Sequence, residues 1–291
     1  MAVQWYPGHM NKARRKITEA MPNIDLVIEV MDARIPFSSE NPMVAELRQH
    51  RPCIKLLNKS DLADRNVTQA WLDYFNHQQG VKAQAVCMQE SDKIQRLPAL
   101  CRKLLPNRNS AAKNIRVMIM GIPNVGKSTL INTLAGRTAA KVGDEPAVTK
   151  NVSLPQQQIM LQGGIALSDT PGILWPKIHN ENSSYRLAVT GAIKNTAIDF
   201  EDIADFAAEY LLLNYPDVLM ERYKFKRLPG ASVECLEMLG AKRGCLRPGG
   251  IIDMPRAAEI LIHEIRNGTL GALSFETPKM IEDEMIDEED D

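Results

Sequence analysis

One octapeptide narrows the folds open to this chain more than anything else in it: Gly121-Ile-Pro-Asn-Val-Gly126-Lys127-Ser128, a complete GxxxxGK[ST] pattern. The dense apolar run Ile115–Met120 leads into it, and Thr129–Leu134 opens a helical pattern behind it. Such a loop works by turning sharply between a buried strand and a helix N-terminus, so that backbone N–H groups converge on a polyphosphate. Asn124, Val125, Gly126, Lys127, Ser128 and Thr129 form the expected phosphate-binding set. Lys127 is expected at the β- and γ-phosphates, and the Ser128 hydroxyl on Mg²⁺.

The flanking chain supplies a sheet of matching type. Apolar runs at Ile24–Met31 and Pro52–Leu57, with a strand pattern at Val81–Met88, are separated by chain that includes helical patterns at Asn66–Gln79 and Asp92–Leu105. Strand runs without polar alternation imply strands buried on both faces, and strands alternating with helices imply a mostly parallel sheet with right-handed crossovers. Val152–Leu161 and Ile165–Ser168 flank Gln162-Gly163-Gly164, which predicts a hairpin turn. After Gly172 helical patterns dominate, at Ser183–Ile193, Asp199–Leu213, Ala231–Leu239 and Met254–Arg266. Asp253 is placed to cap the last of these, with Pro255 in its first turn and Gly268 and Gly271 as stops. A domain boundary is expected near Trp175–Lys177.

Two further motifs give the loop a ligand. Leu167-Ser168-Asp169-Thr170-Pro171-Gly172 closes a strand. Asp169 can hold the Mg²⁺ shell there, and the Gly172 N–H can meet the γ-phosphate, so the segment would sense that phosphate. Asn58-Lys59-Ser60-Asp61 closes the Pro52–Leu57 run. The Asp61 carboxylate can accept hydrogen bonds from guanine N1–H and its N2 amino group. Adenine lacks that donor pair and would leave the carboxylate unpaired. Lys59 would lay its stem on the base, and Asn58 would tie this loop to the phosphate loop. Alone, the tetrapeptide is also compatible with an Asx-turn after a strand.

The order of the motifs is permuted. A GTPase chain ordinarily meets its phosphate loop first and its base motif late; here Asn58–Asp61 precedes Gly121–Ser128, which precedes Asp169–Gly172. A circularly permuted sheet satisfies the same contacts. One consequence is mechanical: the chain leaving the γ-phosphate sensor runs directly into the helical segment.

Composition adds a partner class. The net charge of −1 hides an uneven distribution, because Ile281–Asp291 holds eight acids and no base. The rest of the chain carries 35 basic and 28 acidic residues, a net +7. A basic body with an acidic tail suits a protein that meets nucleic acid. Lys12, Arg14, Arg15 and Lys16 cluster beside Trp5, Tyr6 and His9, and Lys224, Lys226, Arg227 and Lys242, Arg243, Arg247 form two later groups. Such mixtures suit RNA phosphates with a few stacking side chains. Five scattered cysteines without a CxxC pair argue against a disulfide framework or a zinc ribbon and fit a reducing, cytoplasmic setting. No stretch reaches the ~18 apolar residues of a membrane span, and Met1–Met10 lacks a secretory signal pattern.

Taken together the motifs resemble those of the circularly permuted GTPases, and specifically the ribosome biogenesis GTPase A family. The resemblance covers most of the chain: Gln4-Trp-Tyr-Pro-Gly-His9-Met10, Asp32-Ala-Arg-Ile-Pro36, the three nucleotide motifs, Gly172-Ile-Leu-Trp-Pro-Lys177 and Arg247-Pro-Gly-Gly-Ile-Ile-Asp253. It implies an α/β circularly permuted P-loop GTPase domain over 1–176, a small all-helical RNA- and ribosome-binding domain over 177–280, and an acidic disordered tail over 281–291. It also implies GTP hydrolysis with Mg²⁺ during late assembly of the large ribosomal subunit, a low basal rate raised by the precursor particle and its rRNA, and no membrane partner. A monomer is expected.

The resemblance is imperfect at two places. The first switch, usually PGVT, is Pro146-Ala-Val-Thr149, which keeps Thr149 as the ligand for Mg²⁺ and the γ-phosphate. Val86-Cys-Met-Gln-Glu90 departs from the small-residue pattern of the guanine-supporting loop. Catalysis also needs a group from elsewhere, because Ile173 and Leu174 follow the DxxG glycine where many GTPases carry a water-orienting Gln. The resemblance singles out His9, whose imidazole can orient water near neutral pH. It also points to K⁺ held by Asn124 against the phosphates. His9, Lys127, Thr149 and Gly172 are thus the expected catalytic set. An ATPase, a non-catalytic RNA-binding scaffold and a GTPase acting on a different ribosomal RNA particle are the competing readings, and Asp61 argues against the first.

Overall fold

The computed structural model describes residues 8–106, 114–136, 158–161, 163–170, 172, 180–193 and 199–290. Its centre is a six-stranded sheet of β1 (Leu26–Asp32), β2 (Cys53–Asn58), β3 (Val81–Ala85), β4 (Ile115–Met120), β5 (Ile159–Leu161) and β6 (Ile165–Asp169). Their order across the sheet is β3-β2-β1-β4-β6-β5, parallel except for the β5–β6 hairpin. Gly163 and Gly164, both at positive φ, make the hairpin turn, as the residue pattern predicts. From β1 the chain builds the sheet outward in one direction, and from β4 in the other. The crevice between the carboxyl ends of β1 and β4 is therefore the switch point at which such sheets bind ligands.

An ion pair helps to fix the strand register. Glu29 on β1 faces Lys55 on β2, both buried, with 3.4 Å between carboxylate and ammonium. Glu40 also pairs with Lys55, and the Asn41 amide donates to Glu29 at 2.9 Å. A one-residue slip of β2 would turn Lys55 to the other face and leave Glu29 unpaired.

Helices cover both faces. The first half holds α1 (Gly8–Ala20), α2 (Pro36–Ser39), α3 (Pro42–Arg48), α4 (Arg65–Asn76), α5 (Ser91–Gln95), α6 (Leu97–Leu104) and α7 (Lys127–Ala135). The second half is helical: α8 (Glu181–Val189), α9 (Phe200–Asn214), α10 (Pro216–Tyr223), α11 (Ser232–Arg243), α12 (Met254–Arg266) and α13 (Pro278–Asp290). One apolar core runs through both halves, joining Leu26, Ile28 and Val30 of the sheet to Leu187, Ile203, Leu261 and Phe275.

Two expectations are corrected. The stretch read as one helix over Asp92–Leu105 is two, α5 and α6, with Pro98 in the first turn of the second. Asp253 does stand at the N-cap of α12, as expected, and its carboxylate, which meets the Arg256 amide, also accepts from Arg247 Nη2 at 2.9 Å. The acidic stretch read as a disordered tail over 281–291 is helical through Asp290. It is anchored by buried Ile281 against Trp71 and Phe75, and by Glu284, which accepts from Asn180, Asn182 and Arg186. Like charges disfavour an isolated helix, but these anchors lie far away in sequence and offset the repulsion. The boundary near Trp175–Lys177 lies outside the described residues.

Candidate nucleotide site

The phosphate loop leaves β4 at Gly121, whose φ of +147° brings its Cα against the Val30 carbonyl, where a Cβ would have no room. Asn124 and Gly126 take φ of +60° and +98°, and Gly126 caps the N-terminus of α7. These turns bring Lys127, Ser128 and Thr129 into the first helical turn, where unpaired N–H groups and the helix dipole favour anions. Lys127 is buried, and its Nζ donates to the Ile122 carbonyl at 2.6 Å. Burial lowers its pKa to about 8, against the opposing pull of Asp169. The Asn124 amide donates to the Gly191 carbonyl, beyond α8, at 2.9 Å.

Asp169, at the end of β6, sits opposite Ile119 of β4. Its Oδ1 is buried without a hydrogen-bond partner, and burial raises its pKa despite Lys127 nearby. A buried carboxylate oxygen without a partner, next to Lys127 of the phosphate loop, fits a divalent cation. Among the described residues no three His, Cys, Asp or Glu side chains form a metal cluster. The Thr170 hydroxyl donates to the Ile119 carbonyl at 2.7 Å. Gly172 lies so close to the phosphate loop that a Cβ would come within 2.9 Å of Pro123 and 3.1 Å of Lys127 Nζ.

The base motif closes the other end. Asn58 is buried at the end of β2, and its Nδ2 donates to the Val125 carbonyl of the phosphate loop at 2.7 Å. Gly126 is glycine for the same reason: a Cβ there would run into Asn58 Nδ2. Lys59 takes φ of +60°, and its Nζ meets Asp32 at 2.9 Å. Burial would raise Asp32, but Arg34 and Lys59 overcome it and hold the carboxyl far below the usual range. The Ser60 amide donates to the Val86 carbonyl at 3.2 Å, which seats Val86–Glu90 beside the motif. Asp61 is exposed and accepts from the Cys87 thiol; burial and this contact together push the thiol pKa up. The hub formed by Asp32 and Arg34 carried a sequence signal, Asp32-Ala-Arg-Ile-Pro36, but nothing in those residues announced Lys59 as their partner.

These three loops form one cleft at the switch point, and comparison with known proteins agrees. Residues 116–209 match the family described as "50S ribosome-binding GTPase". Over 97% of its length the chain is 45% identical to ribosome biogenesis GTPase A from Priestia megaterium, covering 99% of that protein. The chain belongs to the ribosome biogenesis GTPase A family. The Thermotoga maritima member is 33% identical over 96% of each chain. Two solved structures share the fold at a TM-score of 0.65 and 29% identity: GDP-bound YlqF, covering 91% of this chain and 100% of that one, and GNP-bound YlqF from T. maritima, covering 92% and 99%. They agree with the α/β permuted P-loop GTPase domain and the helical region.

Two of the expected catalytic residues cannot be placed against this GTPase cleft. Thr149 lies outside the described residues, as do Ile173, Leu174, Trp5 and Tyr6. His9 falls in the first turn of α1, and its side chain is outside the described set. Several bases read as RNA contacts are engaged elsewhere. Arg14 pairs with Glu46, Arg15 with Glu19, Arg227 with Glu234, Arg243 with Glu264 and Arg247 with Asp253. Lys224, Lys226 and Lys242 are exposed. Among the described residues no helix is long and apolar enough to cross a membrane.

Proposed function

We propose that this family member is a GTP-hydrolysing switch that acts, as a monomer in the cytoplasm, on the large ribosomal subunit precursor. The observation that carries the reading is the Asn58–Val125 hydrogen bond, 2.7 Å long. It joins the base motif to the phosphate loop across 67 residues of sequence, so permuted motifs meet as one nucleotide site. Asp61 selects guanine, Lys59 covers the base, and Val125–Thr129 with Lys127 cradle the phosphates. Ser128, Thr149 and Asp169 would hold Mg²⁺, and Asn124 would hold K⁺. Such ions, when bound, supply positive charge against the developing charge of the transferred phosphoryl group.

The chain's own part is positioning. Lys127 reaches the β- and γ-phosphates from its buried seat. Gly172, packed on Pro123, offers its N–H to the γ-phosphate, and Thr149 approaches from the first switch. His9 orients the attacking water, since the residue after Gly172 is Ile173. Loss of the γ-phosphate releases Thr149 and Gly172. That release passes directly into the helical region 177–280, which holds the rRNA through its exposed bases. A low basal turnover, raised by the particle, follows from a water-orienting group that only the bound particle brings into place.

GTP turnover in K⁺ and in Na⁺, with and without purified large subunits, tests this for the wild type and His9→Ala. Strong stimulation in K⁺ that the substitution abolishes is expected. No stimulation in either salt would instead support a nucleotide-binding RNA scaffold. Asp61→Asn should cut the preference for GTP over ATP about a hundredfold, since its amide presents a donor where guanine also donates.

A further inference from the structure

The base motif rests on chain that no sequence motif marks. Leu273–Glu276, between α12 and α13, forms a strap between two loops of the GTPase half. The Leu273 amide donates to the Leu62 carbonyl at 2.9 Å, the Asp64 amide to Ser274 Oγ at 3.1 Å, and the Phe275 amide to the Arg34 carbonyl at 2.8 Å. Glu276 takes the Ser38 amide at 3.0 Å and the Ser38 hydroxyl at 2.5 Å, and its carbonyl accepts from Trp71 Nε1 at 3.1 Å. Phe275 and Glu276 are both fully buried. The strap is therefore fixed at each residue, and it grips both sides of the base motif.

From the strap the contacts lead inward. Arg34 is 1% exposed and forks onto Asp32, with Nε at 3.0 Å and Nη2 at 2.8 Å. The far side of its guanidinium reaches the Ile265 and Thr190 carbonyls at 3.5 and 3.4 Å, the C-terminal ends of α12 and α8. Asp32 in turn holds Lys59 at 2.9 Å. Lys59 stands in the left-handed region, where a lysine stays only if its surroundings hold it. The Asp32 contact at 2.9 Å supplies that hold.

We infer that guanine recognition is completed from the helical half: the strap fixes Arg34 and Leu62–Asp64, Arg34 fixes Asp32, and Asp32 orients Lys59 over the base. Asp32 and Arg34 are thus positioning residues for the base, and the phosphate end does not depend on them. The inference rests on the reading of Asn58–Asp61 as the guanine motif.

The test is steady-state GTP hydrolysis by the full chain carrying Asp32→Asn, with the preference for GDP over ADP measured on the wild type. The expected result is a KM for GTP raised about tenfold, the scale of one lost charge-assisted hydrogen bond, with kcat within about twofold. A fall in kcat at unchanged KM, an equal loss in both, or no change in either would overturn the inference. Should Asp32→Asn not fold, Arg34→Lys and Ser274→Ala decide. The first keeps a cation on Asp32 but loses the fork and the reach to Thr190 and Ile265. The second removes the acceptor of the Asp64 amide far from any phosphate. Each should raise KM about threefold at constant kcat; an unchanged KM in both folded variants would refute the idea. A wild type without preference for GDP would overturn the guanine reading itself, and this inference with it.

Discussion

The phosphate end of the cleft comes from one unbroken stretch, β4 through the first turn of α7, closed by the end of β6. The base end draws on Asp32–Arg34, Asn58–Asp64, Val86–Cys87 and the strap Leu273–Glu276. The first is local because its chemistry is local: backbone amides aimed at an anion need only glycines and a helix start. The second must recognise a flat base through side chains, and those must be held from several directions. The phosphate end should therefore fail through single residues that touch ligand, and the base end also through residues that never touch it.

The largest expected effect separates the ends outright. Lys127→Ala removes the cation at the phosphates and should lower GTP turnover by about a hundredfold to a thousandfold. The preference for GDP over ADP should stay unchanged in competition binding. A lost preference would mean that the ends are not built independently.

The contrast also explains what could be read in advance. β4 and α12 have the boundaries that the residue pattern predicts, Ile115–Met120 and Met254–Arg266, because each is a strong local signal. The nucleotide motifs were legible for the same reason. The strap was not: its Leu273 and Phe275 amides bond Leu62 and Arg34 without requiring a particular side chain, and the Ser274 and Glu276 side chains meet Asp64 and Ser38, more than two hundred residues away. The helix α13 was hidden by its own acids, since its anchors, Arg186 and the Trp71–Phe75 cluster, lie about a hundred and two hundred residues away. In each case a distant partner decided a question that local preference leaves open.

The next effect tests whether the strap is held by charge. Burial raises the Glu276 pKa from 4.5 to about 7, although Arg186 and Ser38 oppose it. The folded chain thus keeps a proton there that the unfolded chain loses. The stability this group allows is fully present below pH 4.5 and is lost as pH rises through about 7. The loss is on the order of 3 kcal/mol. Glu276→Gln stays neutral, so its thermal midpoint relative to wild type should rise between pH 5 and pH 8. Glu29, raised to about 7 by burial against Lys55, contributes a slope of the same sign in both proteins, so the difference between them is the readout. A constant difference would mean that Glu276 is already ionised at pH 5.

The smallest effect falls on a bond that spans both ends, from Asn58 to Val125. Asn58→Ala removes the donor to the Val125 carbonyl and the amide against which Gly126 packs. A buried carbonyl left without its donor costs about 1–2 kcal/mol, which is roughly tenfold in GDP affinity. If the cleft is two separately built ends clipped together, the loss should appear as faster GDP release, with the guanine preference and the saturated GTP turnover both kept. Asp61 and Lys127 remain seated by their own partners, so neither selectivity nor chemistry has reason to fall. Should the guanine preference collapse as well, Asn58 would belong to the base end rather than join the two. The division of the cleft would then run through the phosphate loop at Val125, not between the loops.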